Sequence, residues 1–197
     1  MSELDLSPDV LVIGGGIAGL VAAVRAREKG ARVVVLHRQG GGTVASSGAL
    51  DCGDEQYGLV PGPAVDPLER GGRWRRGVEL IAARHPRHPF ARVGDKGRER
   101  LREALALVKQ VAQIGGLDLV ERDDGQNHVL ATQLGTVKRT ALVQRSQQLD
   151  LAALEPDATI AIVDPLDLGN FGARSVAHVL GWIAGMSGRK LQVTTLG

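Results

Sequence analysis

The stretch Asp9-Val-Leu-Val-Ile-Gly-Gly-Gly-Ile-Ala-Gly-Leu20 decides the fold that this sequence predicts. Its apolar run, residues 10–13, predicts a buried strand, and the alanine-rich pattern after it predicts a helix that continues to about Lys29. Between them lies the spacing Gly14-x-Gly16-x-x-Gly19, which is typical of a turn that binds a nucleotide phosphate. The start of the helix also offers N–H groups and a partial positive charge to an anion.

Each glycine of this motif has a mechanical role in that expectation. Gly14 allows the tight turn from strand to helix, Gly16 lets a phosphate approach the backbone, and Gly19 lets the helix pack on the strand. Gly30 then ends the helix, and residues 32–36 predict a second strand. This strand–turn–helix–strand context distinguishes the motif from an ordinary glycine-rich turn. The residues expected to contact the cofactor here are Gly14, Gly15, Gly16, Ala18 and Gly19.

The composition is that of an ordinary globular protein, and it excludes several functional classes. With 197 residues the chain is long enough to bury a sizeable core. Aromatic residues make up only 3% and the net charge is only +2, so no surface for nucleic acid is expected. No spacing of histidine, cysteine or carboxylate residues is typical of a metal site. We therefore expect neither a nucleic-acid partner nor a metal.

The single cysteine, Cys52, excludes an intramolecular disulfide and favours a reducing, cytoplasmic setting. Its position next to a Gly/Ser-rich loop suggests a redox role, but a lone cysteine is more often a small apolar filler, so it stays unassigned. The first eight residues lack the pattern of a signal peptide. No apolar run approaches the roughly 18–20 residues that span a membrane. Any membrane association is therefore expected to go through a partner.

The end of the second predicted strand is basic rather than acidic. His37 and Arg38 occupy the place where a dinucleotide-binding domain usually carries a carboxylate for the adenosine ribose. Three explanations stay open. These residues contact a phosphate, the cofactor lacks an adenosine half, or His37 is only a surface residue at the end of the strand. In the loop that follows, Ser46, Ser47 and Gly48 suit hydrogen bonding to a flavin ring edge or to phosphate.

Residues 51–150 are expected to form a helical and antiparallel segment inserted between the halves of an α/β domain. Asp66 predicts the cap of one helix, and the periodicity of residues 95–114 predicts a longer one. Three strands are predicted at residues 117–121, 127–133 and 136–143. The cluster Arg73-Trp74-Arg75-Arg76 either meets a phosphate or an acidic partner surface or is a solvated helix start.

Residues 151–197 repeat the α/β pattern of the start, with a strand, a helix and a strand at residues 159–163, 173–186 and 191–195. Ending on such a strand suggests a truncated chain, because parallel strands are normally covered by helices on both faces. With residues 1–50 as an N-terminal nucleotide-binding βαβ unit, the predicted fold class is α/β. It is a Rossmann-like, FAD/NAD(P)-binding parallel sheet with an inserted helical and antiparallel β segment.

Four segments give the chain a specific resemblance to a known family. They are residues 12–20, 46–51, 88–90 and 132–140. On these segments the chain resembles the B-subunit family of the anaerobic glycerol-3-phosphate dehydrogenases, within the broader family that includes the fumarate reductase flavoproteins. The resemblance covers nearly the whole chain but only about the first half of such a protein.

The resemblance implies a flavin, with FMN assigned to the B-type protein and FAD as the alternative, and FMN agrees with the missing ribose carboxylate. It also implies oxidation of sn-glycerol 3-phosphate to dihydroxyacetone phosphate, with electrons passing to quinone. The implied partners are the A-type protein of the same glycerol-3-phosphate dehydrogenase and an iron–sulfur membrane-anchor subunit, which would hold this chain at the inner face of the cell membrane. Hydride transfer to the flavin needs a base, for which His88 and His37 are weak candidates.

Two further functions stay open beside this one. The first is a different FAD-dependent Rossmann oxidoreductase in which His37 is tolerated at the end of the strand. The second is a non-catalytic interaction subunit, or a half-domain that keeps the fold without a cofactor. The cofactor found in the purified protein distinguishes the three functions.

Overall fold

The computed structural model describes residues 7–42, 46–56, 66–93, 96–165 and 171–196. The chain divides into two compact units, Met1–Gly48 and Ala49–Gly197. The strands of the described residues pair as four two-stranded sheets, two parallel and two antiparallel. This pairing confirms an α/β class, while one continuous parallel sheet and the predicted boundary near residue 150 stay predictions.

The first unit is a parallel βαβ arrangement. It contains β1 (Val10–Ile13), α1 (Ile17–Glu28) and β2 (Val33–Leu36), and β1 pairs with β2 in parallel. At the entrance to both strands, a carboxylate oxygen of Asp9 accepts the Arg32 backbone N–H at 2.8 Å. That bond lowers the pKa of Asp9 below its ordinary value. The strand–helix–strand order predicted from the sequence is confirmed.

Little apolar surface is buried within this first unit. Among its described residues, Val12 is the one hydrophobic side chain that is buried. The exposed large apolar side chains are Leu11, Ile13, Ile17, Leu20, Val21, Val24 and Leu36. Because hydrophobic stabilisation scales with the apolar area removed from water, it contributes little here. The geometry of the unit rests instead on its backbone hydrogen bonds and on close packing at the glycine turn.

Three helices come first among the elements described in the second unit. They are α2 (Trp74–Arg84), α3 (Pro89–Arg92) and α4 (Gly97–Ile114). The long helix predicted near residues 95–114 is confirmed as α4. The four-residue α3 was not predicted, because its cap is a histidine rather than one of the usual serine, threonine or aspartate residues.

The helix start predicted at Asp66 is wrong. The Asp66 carboxylate accepts the Leu68 N–H at 2.8 Å, but this bond closes only a local turn. The chain then leaves that turn, and the Gly72 N–H donates to the buried carboxylate of Asp54 at 3.0 Å. A helix cannot continue through a residue whose N–H is committed elsewhere, so α2 begins only at Trp74.

Among the described residues, four short strands follow, and they form two antiparallel pairs. They are β3 (Leu119–Val120), β4 (His128–Ala131), β5 (Val137–Thr140) and β6 (Val143–Gln144). The pairing of β4 with β5 confirms the predicted hairpin. The strand predicted at residues 136–143 is divided, because the backbones of Ala141 and Leu142 bond to Leu50 instead of continuing the hairpin.

A second parallel βαβ arrangement ends the described chain. It contains β7 (Thr159–Val163), α5 (Ala173–Met186) and β8 (Gln192–Leu196), and β7 pairs with β8 in parallel. All three elements agree with the sequence prediction. The polar stretch before β7 contains two 3₁₀ turns, Arg145–Gln147 and Leu151–Ala153.

The described residues of the second unit form two apolar cores. The first joins α5 to the β4 hairpin and contains Leu68, Val129, Leu151, Leu180, Ile183, Ala184 and Leu191. The second lies under α2 and contains Trp74, Val78, Leu119, Ala141 and Leu142. Residues distant in sequence meet in both cores, so tertiary packing rather than local propensity holds this unit together.

The Arg189 guanidinium links three loops around the first core. It donates to the carbonyl oxygens of Leu151 and Leu154 at 3.1 Å each, and to that of Leu68 at 3.1 Å. The partner in the last of these bonds is 121 residues away in sequence. A charged donor that satisfies several partly buried carbonyls stabilises the loops that carry them.

Candidate functional site

The glycine turn between β1 and α1 is built as the motif predicts. Gly14 has φ +116°, and its N–H donates to the Leu36 carbonyl at 2.9 Å. A Cβ at Gly19 would lie 2.3 Å from the Gly14 carbonyl oxygen and 3.2 Å from a Val12 methyl carbon. The roles predicted for Gly14 in the turn and Gly19 in helix–strand packing are therefore confirmed, while cofactor contact stays a prediction.

The N-terminal end of α1 is suited to an anion. The first hydrogen bond of the helix runs from Leu20 N–H to Gly16 O at 3.0 Å. The N–H groups of Ala18 and Gly19 come before this bond, so they have no acceptor within the helix. The first turn of α1 carries no acidic side chain, and its last turn carries Arg25 and Arg27. This charge pattern leaves the partial positive charge at the helix start available to a ligand.

The segment after β2 returns across the glycine turn. A Cβ at Gly15 would lie 3.0 Å from the His37 Cβ and 3.0 Å from the Gln39 carbonyl oxygen. Gly41 has φ +68°, and a Cβ there would lie 2.9 Å from the Gly16 Cα. The structure thus brings His37 against the motif. It also shows a close contact at Gly41 that sequence reasoning missed, although the triple glycine at residues 40–42 was the available signal.

The other predicted contacts of the first unit are exposed. The side chains of His37, Arg38, Ser46 and Ser47 all face solvent. The Ser46 hydroxyl accepts the Gly48 N–H at 3.0 Å, which closes a local turn. Each of these side chains is accessible to a ligand, and their binding roles stay predictions. Residues 43–45, within the same predicted loop, lie outside the described part of the chain.

Two of the segments that carry the family resemblance meet in the second unit. Lys138 Nζ lies 3.2 Å from a carboxylate oxygen of Asp51, and the Thr140 hydroxyl donates to the Leu50 carbonyl at 3.0 Å. Residues 46–51 and 132–140, more than 80 positions apart, are therefore connected physically as well as by family pattern.

A buried polar network fixes the chain just after Asp51. The Asp54 carboxylate accepts the Gly72 N–H at 3.0 Å and the Asn127 side-chain amide at 2.9 Å. That amide also donates to the Gly53 carbonyl at 2.8 Å. Arg139 Nε lies 3.8 Å from Asp54, and both side chains are almost fully buried, at 4% and 5% exposure. A buried charge pair supported by hydrogen bonds in this way orders the loop that it holds.

His88, one of the two weak candidates for the catalytic base, caps a helix. Its Nδ1 accepts the Phe90 N–H at 3.2 Å, and its ring lies 4.7 Å from the Phe90 ring. Nδ1 is therefore the unprotonated nitrogen of the neutral ring and Nε2 carries the hydrogen, so His88 can accept a proton only after its bond to the Phe90 N–H is given up. His88 lies in the second unit and His37 in the first. A catalytic role for either stays a prediction.

Cys52 is a half-buried thiol next to two carboxylates. Burial raises its pKa to about 11, and the charges of Asp51 and Glu121 act in the same direction. The thiolate is the reactive form of cysteine, so the environment of Cys52 suppresses nucleophilic and redox chemistry. This agrees with leaving Cys52 unassigned.

We expect Cys52 in the folded protein to react with iodoacetamide roughly a hundredfold more slowly than an unperturbed thiol at about pH 8, because only about a thousandth of it is thiolate there. Mass spectrometry after timed quenching measures the rate, and the urea-unfolded chain serves as the control. Equal rates in the folded and unfolded chains would contradict the burial of this thiol.

His128 is a buried histidine on β4 that sequence reasoning did not single out. It is 1% exposed, and neither ring nitrogen has a regular hydrogen-bond partner among the described residues. Burial lowers its pKa below 6.5 and outweighs the nearby Asp150 carboxylate, which acts in the opposite direction. Asp150 itself pairs with Arg122, and these residues line a pocket of about 440 Å³. Burial thus favours the neutral form of His128, although charged side chains surround it.

This lowered pKa makes folding sensitive to acid. The unfolded state binds a proton more readily than the folded state does, so the stability contribution is complete above about pH 6.5 and is lost as pH falls through the folded pKa. We expect the urea concentration at the midpoint of unfolding to decrease as the pH is lowered from about 7 to about 5. In His128→Gln this decrease should be smaller. The matched control, His178→Gln, replaces an exposed histidine. If the pH dependence of the midpoint were the same in His128→Gln as in the parent chain, His128 would not be its source.

The arginine cluster at the start of α2 is engaged with acidic side chains. Arg75 lies 2.9 Å from Glu121 and stacks on the Trp74 ring at 4.8 Å, while Arg76 lies 2.9 Å from Glu79. Charges paired in this way leave little net attraction for an added anion. The arrangement favours the solvated helix start over the phosphate site.

The described parts of the chain offer neither a metal site nor a membrane span. No group of three or more histidine, cysteine, aspartate or glutamate side chains there is placed to hold a metal ion. None of the helices found there is both long and apolar enough to cross a membrane.

The model of the FAD binding domain family matches residues 9–183. The B subunit of anaerobic glycerol-3-phosphate dehydrogenase from Vibrio cholerae serotype O1 is 34% identical over 138 residues, which is 69% of this chain and 28% of that protein. The proteins of the same name from Aliivibrio fischeri and Yersinia pestis are 31% identical over 140 and 137 residues, covering 69% and 68% of this chain and 27% and 29% of theirs. No solved structure matches the chain.

Proposed function

Because the chain belongs to the FAD binding domain family, we propose that it is the flavin-binding part of a glycerol-3-phosphate dehydrogenase. The names of its relatives support the substrate class. The chain spans less than a third of the length of these relatives, so the activity of the whole protein belongs to the proposal. The proposal includes a Rossmann-like parallel sheet, supported by the parallel β1–α1–β2 unit.

The observation that carries the proposal is the glycine turn. Gly14 has φ +116°, and a Cβ at Gly19 would lie 2.3 Å from the Gly14 carbonyl oxygen. The N–H groups at the start of α1 lie before the first hydrogen bond of the helix. A phosphate group of a flavin cofactor fits such a cradle, because backbone donors can reach it without a Cβ in the way. Residues Gly14, Gly15, Gly16, Ala18 and Gly19 would hold it.

The family favours FAD over FMN as this flavin. The matching family is defined by FAD binding, so FMN as the first choice lacks support. The basic pair His37–Arg38 then stands where a carboxylate usually accepts from the ribose. With FAD bound, His37 would lie near the adenosine half, because it packs against Gly15. Ser46, Ser47 and Gly48 would offer donors to the phosphate or the ring edge.

A bound flavin would supply the acceptor for a hydride from C2 of sn-glycerol 3-phosphate. The chain would contribute position and proton transfer, with His37, or His88 after its Nδ1 releases the Phe90 N–H, taking the proton of the substrate hydroxyl. Dihydroxyacetone phosphate would be the product. The A-type protein of the dehydrogenase and an iron–sulfur membrane-anchor subunit would receive the electrons and pass them to quinone at the inner face of the membrane. The subunit naming of the relatives supports a complex.

The test of the proposal is the identity of the bound cofactor. We expect the purified chain to show flavin absorbance and heat to release FAD, identified by mass. Release of FMN would overturn the assignment of FAD and restore the explanation that the missing carboxylate reflects a missing adenosine. A chain that stays colourless after incubation with excess FAD and FMN would contradict flavin binding by this chain and favour a non-catalytic interaction subunit.

A further inference from the structure

An apolar groove lies between α2, α3 and α4 in the second unit. Its volume is about 580 Å³. The apolar side chains that line it are Val78, Ala82, Phe90, Val93, Leu101 and Ala104. Two charged side chains complete the lining, Glu79 and Arg100. Glu79 is paired with Arg76 at 2.9 Å, which leaves Arg100 as the charge available to a ligand.

The apolar surface continues from this groove along α4. The inner side of α4 packs Leu101, Leu105 and Val108 against the second core. A second row, which we call the α4 stripe, consists of Ala104, Leu107, Val111 and Ile114 at three- or four-residue intervals, so it shares one side of the helix. Ala104, Val111 and Ile114 are exposed, the last two at 53% and 81%, and Leu107 is half-buried.

The surroundings of the groove are basic. Residues 84–103 contain seven Lys or Arg against three Asp or Glu, although the net charge of the whole chain is only +2. Within the described part of this stretch, the basic residues without an ion-pair partner are Arg84, Arg87, Arg92, Lys96, Arg100 and Arg102, and the acidic residues without one are Glu99 and Glu103. Arg102 lies roughly 200° around α4 from Arg100 and is not part of the groove. A cluster of unpaired cations around an apolar surface attracts an anionic partner and excludes a cationic one.

From this combination we propose that the groove and the α4 stripe bind an acidic amphipathic helix of a partner protein. Such a helix would place apolar anchors at i, i+3, i+4 and i+7 on the groove and the stripe, with glutamate or aspartate residues flanking them. α4 has 18 residues and spans about 27 Å, which matches a partner helix of similar length. The proposal is independent of flavin binding.

The geometry favours a helix over a flat anionic surface. The groove is concave and continues into the linear α4 stripe. A helix that lies in the groove would contact the residues at its floor, whereas a flat bilayer would contact only its outer edges. An exposed row of large aliphatic side chains beside a concave apolar site is typical of a protein interface. Arg100 lies at the junction of groove and stripe, where a carboxylate on the partner helix would meet it.

The test uses the whole chain and two synthetic helical peptides of about 18 residues, matched to α4 in length. Both carry the same leucine stripe, but one is flanked by glutamate and the other by lysine. We expect fluorescence anisotropy to show the glutamate peptide binding at least about tenfold more tightly, with the difference shrinking at about 0.5 M salt. We expect Arg100→Glu and Val111→Asp each to weaken that binding by about tenfold.

The matched control is Arg102→Glu, the same charge change roughly 200° around α4 from Arg100. It should alter the affinity by less than about twofold, and circular dichroism should show all three variants folded. Equal binding of the two peptides, an equal effect of Arg102→Glu, or no binding of either peptide would overturn the proposal. So would binding to anionic vesicles alone, or self-association that Val111→Asp abolishes, because a membrane or a second copy would then be the occupant.

Discussion

Replacing Gly19 with alanine is expected to disrupt the first unit and to reduce flavin affinity by at least about a hundredfold. The new Cβ would lie 2.3 Å from the Gly14 carbonyl oxygen, which is backbone and cannot rotate away. Moving α1 outward to relieve that clash would displace the N–H groups at its start from the phosphate. Overpacking of this kind costs about 1–3 kcal/mol, and a unit with so little buried apolar surface has little to offset it.

Two measurements on Gly19→Ala separate the structural effect from the binding effect. Circular dichroism and urea unfolding report the loss of stability, and quenching of FAD fluorescence during titration reports affinity. The matched control is Gly181→Ala on α5, where a Cβ would meet nothing within 4 Å. There the same change should be neutral or stabilising by about 0.5–1 kcal/mol. A Gly19→Ala chain with unchanged stability and unchanged FAD affinity would contradict the role of the turn.

Replacing Asp54 with alanine is expected to destabilise the second unit by about 3–5 kcal/mol. The change removes the acceptor for the Gly72 N–H and the Asn127 amide, and it leaves the nearly buried Arg139 guanidinium without its carboxylate. Breaking one side of a buried pair costs more than the pair itself contributes, because the remaining charge stays out of water. Urea unfolding monitored by tryptophan fluorescence measures the loss, because Trp74 lies buried in the adjoining core whereas Trp182 is already exposed in the folded chain.

Asp51→Ala provides the control for that experiment. Asp51 also pairs with a basic residue of β5, Lys138, but its side chain is 57% exposed. Exposed pairs contribute about 1 kcal/mol or less, so this variant should remain close to the parent chain in stability. If Asp51→Ala and Asp54→Ala cost the same, burial of the Asp54 network would not be the source of its contribution.

Local patterns in the sequence predict the parts of the fold that depend on local physics. The glycine spacing 14–19 and the apolar run before it are sufficient to predict the turn, because each role follows from a missing Cβ at one position. α5 is predictable from its apolar periodicity and from Gly188, whose φ of +67° lies just beyond the helix. In both cases the residues that decide the conformation are neighbours in the chain.

Contacts between distant residues are not predictable in this way. Asp54, Asn127 and Arg139 come from three separate loops and strands, and no spacing in a single sequence indicates that they meet. The error at Asp66 has the same origin. Its side chain makes the local bond that the pattern indicates, but the Gly72 N–H is taken by Asp54, and that distant bond sets the start of the helix.

The link made by Arg189 has a consequence for the order in which the protein is made. A ribosome synthesises Leu68 long before Arg189, and the bond between them spans 121 residues. During translation, the Leu68 carbonyl therefore cannot accept its hydrogen bond from Arg189 until nearly all of the second unit has emerged. Folding that depends on such distant contacts is slow, because the chain loses the entropy of loop closure before the contacts can stabilise it. Nascent chains stalled before Arg189 should consequently be more sensitive to proteases near residue 68 than chains stalled after it.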